Sequence, residues 1–132
     1  MNVKDLVPKN KYDDSNIDKL YSLNDEEIQP IIYDLLEWLE DGNWPIAIKV
    51  LDVLLKHEDL VFPYVIEILN GDNIMWKYWL MNWLIPNFTS THKEELRAIL
   101  TKLTTIESDD ENLISLKESA TDCYNKCFNN SN

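Results

Sequence analysis

Glycine is nearly missing from this chain: Gly42 and Gly71 are the two present among 132 residues. All-β folds draw on glycine for tight turns and bulges, so its scarcity argues against a sheet-rich fold and for helices joined by short connections. Histidine and cysteine are equally sparse, at two each. Nucleophilic catalysis needs a base poised beside a nucleophile. His57 and His92 instead read as solvated residues, one near a helix end and one in a first helical turn. Cys123 and Cys127 stand four apart, so on a helix they share a face. They supply half a zinc site, with no second pair of Cys or His nearby in sequence, and read as small apolar residues packing a terminal helix. So few cysteines also agree with a reducing compartment. A glycine-rich phosphate loop and a dinucleotide fingerprint are both absent. No cofactor and no metal is expected, and the chain reads as non-enzymatic.

Long apolar runs are absent too. The longest apolar-rich stretch, Ile74 to Ile85, is interrupted by Lys77 and Asn82, and falls short of the ~20 residues a membrane span requires. The first eleven residues carry Lys4, Lys9 and Lys11 and no apolar run of signal-peptide length. The expectation is a cytoplasmic protein that does not bind membranes. Basic residues are in short supply: 12 against 24 acidic ones, for a formal net charge of −12. Such a field repels phosphate backbones and anionic lipid surfaces, so nucleic acid is not an expected partner. It favours a basic protein partner. Keeping a small domain soluble is the plainer use of the same charge.

What is present is a helical pattern. Hydrophobic residues make up 45% of the chain, an ordinary globular share. The length suits a single helical-repeat domain over residues 1–128, with a frayed polar tail at 129–132. A first short helix is predicted near Ser15 to Tyr21, with Ser15 as cap. Asn24 and Glu27 form a capping-box pattern, with Leu23 placed to staple against Ile28. The helix that follows is predicted to reach Glu40, kinked at or beginning at Pro30, with Gly42 past its end. Asn43-Trp44-Pro45 reads as the capped start of a third helix to about His57. A fourth runs from about Leu60 to Leu69, with Pro63 in its first turn and Gly71 beyond its end. The fifth spans Asn73 to Pro86. The sixth, capped by Ser90 or Thr91, reaches about Ile106. The seventh follows Ser108, with Asp109, Asp110 and Glu111 complementing its N-terminal dipole.

A weak repeat recurs about every 30 residues. Glu37-Trp38-Leu39 with Asn43 aligns with Glu67-Ile68-Leu69 and Asn73, and Leu54-Leu55 aligns with Leu84-Ile85. This is the grammar of stacked helix pairs. The fold class expected is therefore all-α, a short αα-superhelix of about three antiparallel pairs. Trp44 and Trp76, near the starts of inner helices, are expected to pack into the seams between successive pairs.

Two features point to binding. The fifth segment carries Trp76, Tyr78, Trp79 and Trp83 with Met75 and Met81, so most of its surface must be covered. Part of that cluster, Trp79 with Lys77, is a candidate open edge, since Trp and Tyr serve as interface anchors. The second feature is acidic. From Asp13 to Asp41 there are ten acidic residues and one lysine, Lys19, a difference of nine. Glu27, Asp34, Glu37 and Asp41 recur at helical spacing and are expected to form one stripe opposite Ile28, Ile32, Leu35 and Leu39. A stripe of this kind ordinarily serves as the solvated side of an amphipathic helix.

Three segments resemble those of a bacterial family known only as domain of unknown function 5071. They are Leu6-Val7-Pro8-Lys9-Asn10-Lys11-Tyr12-Asp13, then Glu37 to Ala47 with its Asn43-Trp44-Pro45 word, then Trp76-Lys77-Tyr78-Trp79 leading to Leu84-Ile85-Pro86. The resemblance extends over about Val3 to Arg97. It implies a HEAT-like helical repeat in a bacterial cytoplasmic protein, and it transfers no functional residue. Two functions are open at this point. One is a protein-binding module, in its specific form an immunity-type inhibitor of a basic toxin. The other is a small-ligand protein or enzyme with a pocket among Trp44, Trp76, Tyr78 and Trp79.

Overall fold

The computed structural model describes residues 2–129, and the described residues are helices and turns without a strand. Their contacts gather into two compact units, Met1–Tyr64 and Val65–Asn132. The protein is all-α.

The first unit begins with a 3-10 turn, Val3–Leu6, followed by α1, Ile17–Ser22. Between them, Asp13 organises the loop. Its carboxylate accepts the Lys9 N–H at 2.9 Å and the Ser15 hydroxyl at 2.6 Å, and these bonds hold its pKa below the ordinary carboxylate value, the Ser15 hydroxyl most of all. Next comes α2, Asp25–Ile28, with the expected capping box: Asn24 Oδ1 accepts the Glu27 N–H at 2.9 Å and Glu27 Oε1 accepts the Asn24 N–H at 3.0 Å.

The long helix expected to reach Glu40 is broken in two places. A 3-10 turn, Gln29–Ile31, separates α2 from α3, Ile32–Leu36, and a second, Glu37–Leu39, follows α3. Pro30 accounts for the first break, because it has no N–H to give and its ring crowds the preceding turn. Burial of Ile28, Ile31, Ile32, Leu35, Leu36 and Leu39 holds the segment inward despite the breaks.

The third helix, α4, is Ala47–Leu55, starting four residues later than Asn43. Asn43 does not cap it. Its own N–H donates to Asp41 Oδ1 at 2.8 Å, and the Trp44 N–H donates to the Asp41 carbonyl at 3.1 Å. The polar turn is thus closed on Asp41. Ile46 instead enters α4 with its N–H given to the Lys11 carbonyl, and Lys49 pairs with Asp14 at 2.6 Å. The amino-terminal loop is tied to α4 through these two bonds.

α5, Glu58–Leu69, starts two residues before the expected position, so Pro63 lies in its interior rather than in its first turn. His57 explains the earlier start, since its carbonyl accepts the N–H groups of Leu60 and Val61. The expectation that His57 is solvated is overturned. It is buried, and its Nδ1 lies 2.5 Å from Asp25 Oδ1 at the start of α2. The ring of His57 thus faces inward, against the Asp25 carboxylate.

The second unit takes over within α5. Asn73 caps α6, Ile74–Trp79, accepting the Trp76 N–H at 3.0 Å. A wide π-type turn, Leu80–Leu84, and a 3-10 turn, Ile85–Asn87, complete the segment. Pro86 lacks the N–H that a regular helix would give to the Asn82 carbonyl, and the backbone widens before it. Side-chain amides stitch the irregular stretch: Asn82 donates to the Tyr78 carbonyl at 2.8 Å and Asn87 to the Trp83 carbonyl at 2.7 Å. α7 is Ser90–Thr104, with Thr89 rather than Ser90 or Thr91 at the capping position. α8 is Glu111–Phe128, capped by Asp110, whose carboxylate accepts the Asn112 and Leu113 N–H groups. α7 and α8 pack against each other, and α8 also covers α6 and the turns after it. The expected frayed tail begins at Asn129, and residues 130–132 lie outside the described residues.

Candidate functional site

Sequence-predicted site residues fall into four places. Asp34, Glu37 and Trp44 come together in the first unit. They line a pocket of about 360 Å³ with Val7, Trp38 and Glu40. Its aromatic wall is Trp38 and Trp44, whose rings meet edge to face with centroids 5.4 Å apart and planes at 70°. The polar turn closed on Asp41 brings Trp44 back onto Trp38, so the pocket is a product of the short 3-10 turn and the loop after it.

Glu27 and Asp41 do not line this pocket. Glu27 is spent in the α2 capping box and Asp41 in the turn around Asn43. The expected stripe assumed one helix from Asp25 to Asp41. With α3 ending at Leu36, the spacing of three, four and seven no longer places these four on one face. Three carboxylates, Asp34, Glu37 and Glu40, do converge. Their crowding is visible at Glu37, whose pKa is raised from its ordinary 4.5, first by partial burial, then by Asp34 and Glu40.

Because that carboxyl binds protons more readily in the folded chain than in the unfolded one, its contribution runs against stability above pH 4.5. Stability therefore falls as pH rises through the window just above that value. Glu37→Gln is expected to raise stability at pH 7, by about 0.5 kcal/mol or less because the group is well solvated. At pH 4 the effect should nearly vanish. Urea melts at the two pH values check this. A Gln variant less stable than wild type at pH 7 would mean that the carboxylate has a favourable partner in the folded chain.

Trp76, Lys77 and Trp79 lie in the second unit. Trp76 is buried, with 6% of its surface exposed. Lys77, expected at an open edge, is buried too, at 9%; α6 lies against α8, and a lysine stem readily covers apolar surface there. Trp79 is half-buried between Tyr78 and Trp83, which meet it edge to face at 5.0 and 5.1 Å. Its indole N–H has no acceptor among the described residues, and neither has His57 Nε2.

Val7, Trp38 and Glu40 were missed by the sequence reading. Trp38 and Glu40 flank residues it had picked out, and Val7 lies in a segment that carries the family resemblance. The signal available was that resemblance: the Leu6–Asp13 and Glu37–Ala47 segments meet in the first unit, where both contribute to the pocket. A second pocket of about 210 Å³ is lined by Tyr12, Pro45 and Ile46 of these segments together with Asp14 and Lys49, which lie just beyond them. Among the described residues no group of three or more His, Cys, Asp or Glu side chains is placed to hold a metal ion. No helix among them is long and apolar enough to cross a membrane.

The geometry thus defines an all-α protein carrying an acidic, tryptophan-walled pocket. It belongs to the family described as Domain of unknown function (DUF5071), whose model matches residues 6–124. That match runs well past Arg97, so α7 and most of α8 belong to the family pattern as well. No curated protein matches the chain.

Proposed function

We propose that this chain is a non-enzymatic protein-binding module whose tryptophan-walled pocket receives a lysine or arginine side chain of a basic partner. One observation carries the reading: Asp34, Glu37 and Glu40 share a pocket with the Trp38 and Trp44 rings. Carboxylates attract a cation, and an indole face adds about 0.5–2 kcal/mol of cation–π attraction as the cation is desolvated. A volume of about 360 Å³ is at the small end for ligand pockets and suits one long side chain. A cation entering there also offsets the burial, and the repulsion from Asp34 and Glu40, that raise Glu37.

The net charge of −12 supports the same reading at longer range, because opposite charge speeds encounter. In its specific form the module is an immunity-type inhibitor that neutralises a basic toxin in the bacterial cytoplasm. The architecture proposed for it is a HEAT-like stack, supported by the 30-residue repeat and by the packing of α3 on α4 and of α7 on α8.

The chain has five tryptophans, and their indole N–H signals report on the pocket by NMR. Titration with a short arginine-containing peptide should move the signals of Trp38 and Trp44 and leave Trp76, Trp79 and Trp83 in place. Uniform movement of all five, or none, would reject the pocket as the site. Selective movement of Trp79 and Trp83 would favour a site in the second unit. With a partner captured from the source cell, Trp38→Ala bait should lose it where wild-type bait retains it.

A further inference from the structure

The pocket walled by Trp38 and Trp44 has a neighbour. Trp44 lines the first pocket, and Pro45, the next residue, lines the second. The amino-terminal loop divides in the same order, giving Val7 to the first pocket and Tyr12 with Asp14 to the second. The two chain segments are pinned together along the way. The Ile46 N–H donates to the Lys11 carbonyl at 3.0 Å, and Lys49 pairs with Asp14 at 2.6 Å. They form one seam with a pocket at either end, wholly within the first unit.

The two ends differ in chemistry. The first carries Asp34, Glu37 and Glu40. In the second the charges are Asp14 and Lys49, which neutralise one another, and the rest of the lining is Tyr12, Pro45 and Ile46. Tyr12 is 68% exposed, although a turn fixes its backbone. Its N–H donates to Asn10 Oδ1 at 2.9 Å, and the Asp13 N–H donates to the Asn10 carbonyl at 3.0 Å. An aromatic ring held out on an ordered turn, beside a small apolar hollow, is a surface that gains from being covered.

We infer that, on the reading of the first pocket as a cation site, the seam is a docking groove for an extended segment of the basic partner with two anchors. The basic side chain enters the first pocket, and an apolar side chain a few residues away enters the second. Charge complementarity selects the first anchor. Continuity of the two pockets along one pinned seam places the second. The span sets the spacing. The Ala47 N–H donates to the Trp44 carbonyl at 3.0 Å as the chain turns into α4, so the path from Trp44 to Lys49 advances about 8 Å at helical rise. An extended peptide covers that in about two to four residues.

A second anchor supplies what the carboxylates alone lack. Their field draws in any cation, whereas a fixed spacing selects among basic segments. Once the cation is seated, the apolar side chain binds at an effective concentration set by the short link between the two. Its contribution comes from apolar area removed from water, and salt screening leaves that nearly untouched.

The test uses the full chain and short serine peptides that carry one arginine and one leucine, in either order, at every spacing up to about six residues. Each is paired with a peptide of equal charge in which serine replaces the leucine. For one order, at a spacing of about two to four, calorimetry should find the leucine peptide about tenfold tighter than its pair, or ~1.4 kcal/mol. That ratio should be the same at low and high salt. Tyr12→Ala changes an exposed residue and should fold normally; it should bind both members of the pair alike. NMR of wild type, which needs no variant, should show the Tyr12 ring and Ile46 methyl signals moving with the leucine peptide alone, while the Trp38 and Trp44 indole signals move with both. Equal affinities within every pair, with Trp38 and Trp44 responding to both members, would overturn the groove and leave the cation pocket standing. A leucine gain that is the same at every spacing, or that survives Tyr12→Ala, would do likewise. Silence of Trp38 and Trp44 towards every arginine peptide would overturn the pocket and the groove together.

Discussion

Trp76→Ala is expected to lower the unfolding free energy by about 3–5 kcal/mol, the usual cost of truncating a buried tryptophan. The ring is 6% exposed, and it stands in the first turn of α6, which packs against α8. Removing it leaves a cavity in a unit whose remaining core includes Leu80, Met81, Leu84, Ile85 and Leu116. A small domain has about 5–15 kcal/mol in total, so the variant should be unfolded or close to it at 37 °C. Trp76→Phe keeps most of the apolar volume and should lose clearly less. Trp44→Ala should cost below about 2 kcal/mol, because that ring is only half-buried and stands at a pocket wall. Urea melts followed by far-ultraviolet circular dichroism separate the three. A Trp76→Ala variant within a few tenths of a kcal/mol of wild type would mean that the ring contributes little to packing.

The unequal fates of these two tryptophans show how far the sequence can be read. Both sit near starts of helical segments thirty or so residues apart, and the sequence treats them alike. The local chemistry that separates them lies in the turns. Asn73 caps α6 and sends Trp76 straight into a helix, whereas Asn43 yields its N–H to Asp41 and leaves Trp44 in a loop. An asparagine before an apolar run stands in both cases, but Asp41 lies two residues before Asn43, within reach of its N–H, whereas Asp72 lies one residue before Asn73, and Pro45 follows the first asparagine alone. Helix content, the capping box at Asn24, the break at Pro30 and the extents of α7 and α8 were legible, because each rests on a short-range rule. The acidic pocket was half legible. Asp34 and Glu37 were picked out by a stripe argument that needs 3.6 residues per turn throughout, which a 3-10 turn replaces from Glu37 to Leu39, and Trp44 was picked out as an aromatic expected to pack in a seam between helix pairs. Trp38 and Glu40, which that turn and the loop after it bring round to the pocket, could not be found by helical spacing. His57 was misplaced for a related reason. A residue at a helix boundary is commonly solvated, and nothing local announces that Asp25, thirty-two residues earlier, will meet its ring.

Reversal of the pocket charge, Asp34→Lys with Glu37→Lys, is expected to weaken binding of a basic partner by about a hundredfold or more. Close charge pairs across interfaces couple by about 1.5–7 kcal/mol, and every 1.4 kcal/mol is a factor of ten. Losing two such pairs and replacing them by repulsion therefore exceeds two factors of ten even at the low end. The same substitutions change the net charge by four, which by itself slows encounter with any cation. Asp18→Lys with Glu26→Lys is the matched control. Both residues are exposed, lie in the same unit and change the net charge equally, yet neither lines the pocket. Their expected effect is a few-fold loss, confined to the association rate and erased at high salt, where exposed charges are screened within about a Debye length. The pocket variant should keep most of its loss at high salt and show it in the dissociation rate. Trp38→Ala adds a third arm: it leaves the charge intact and removes the aromatic wall, so its loss should be largely independent of salt. Calorimetry and surface-based kinetics at two ionic strengths read all three. Equal losses for the two charge reversals would reduce the pocket to a share of the overall field, and the acidity of this chain would then act on its partner only at a distance.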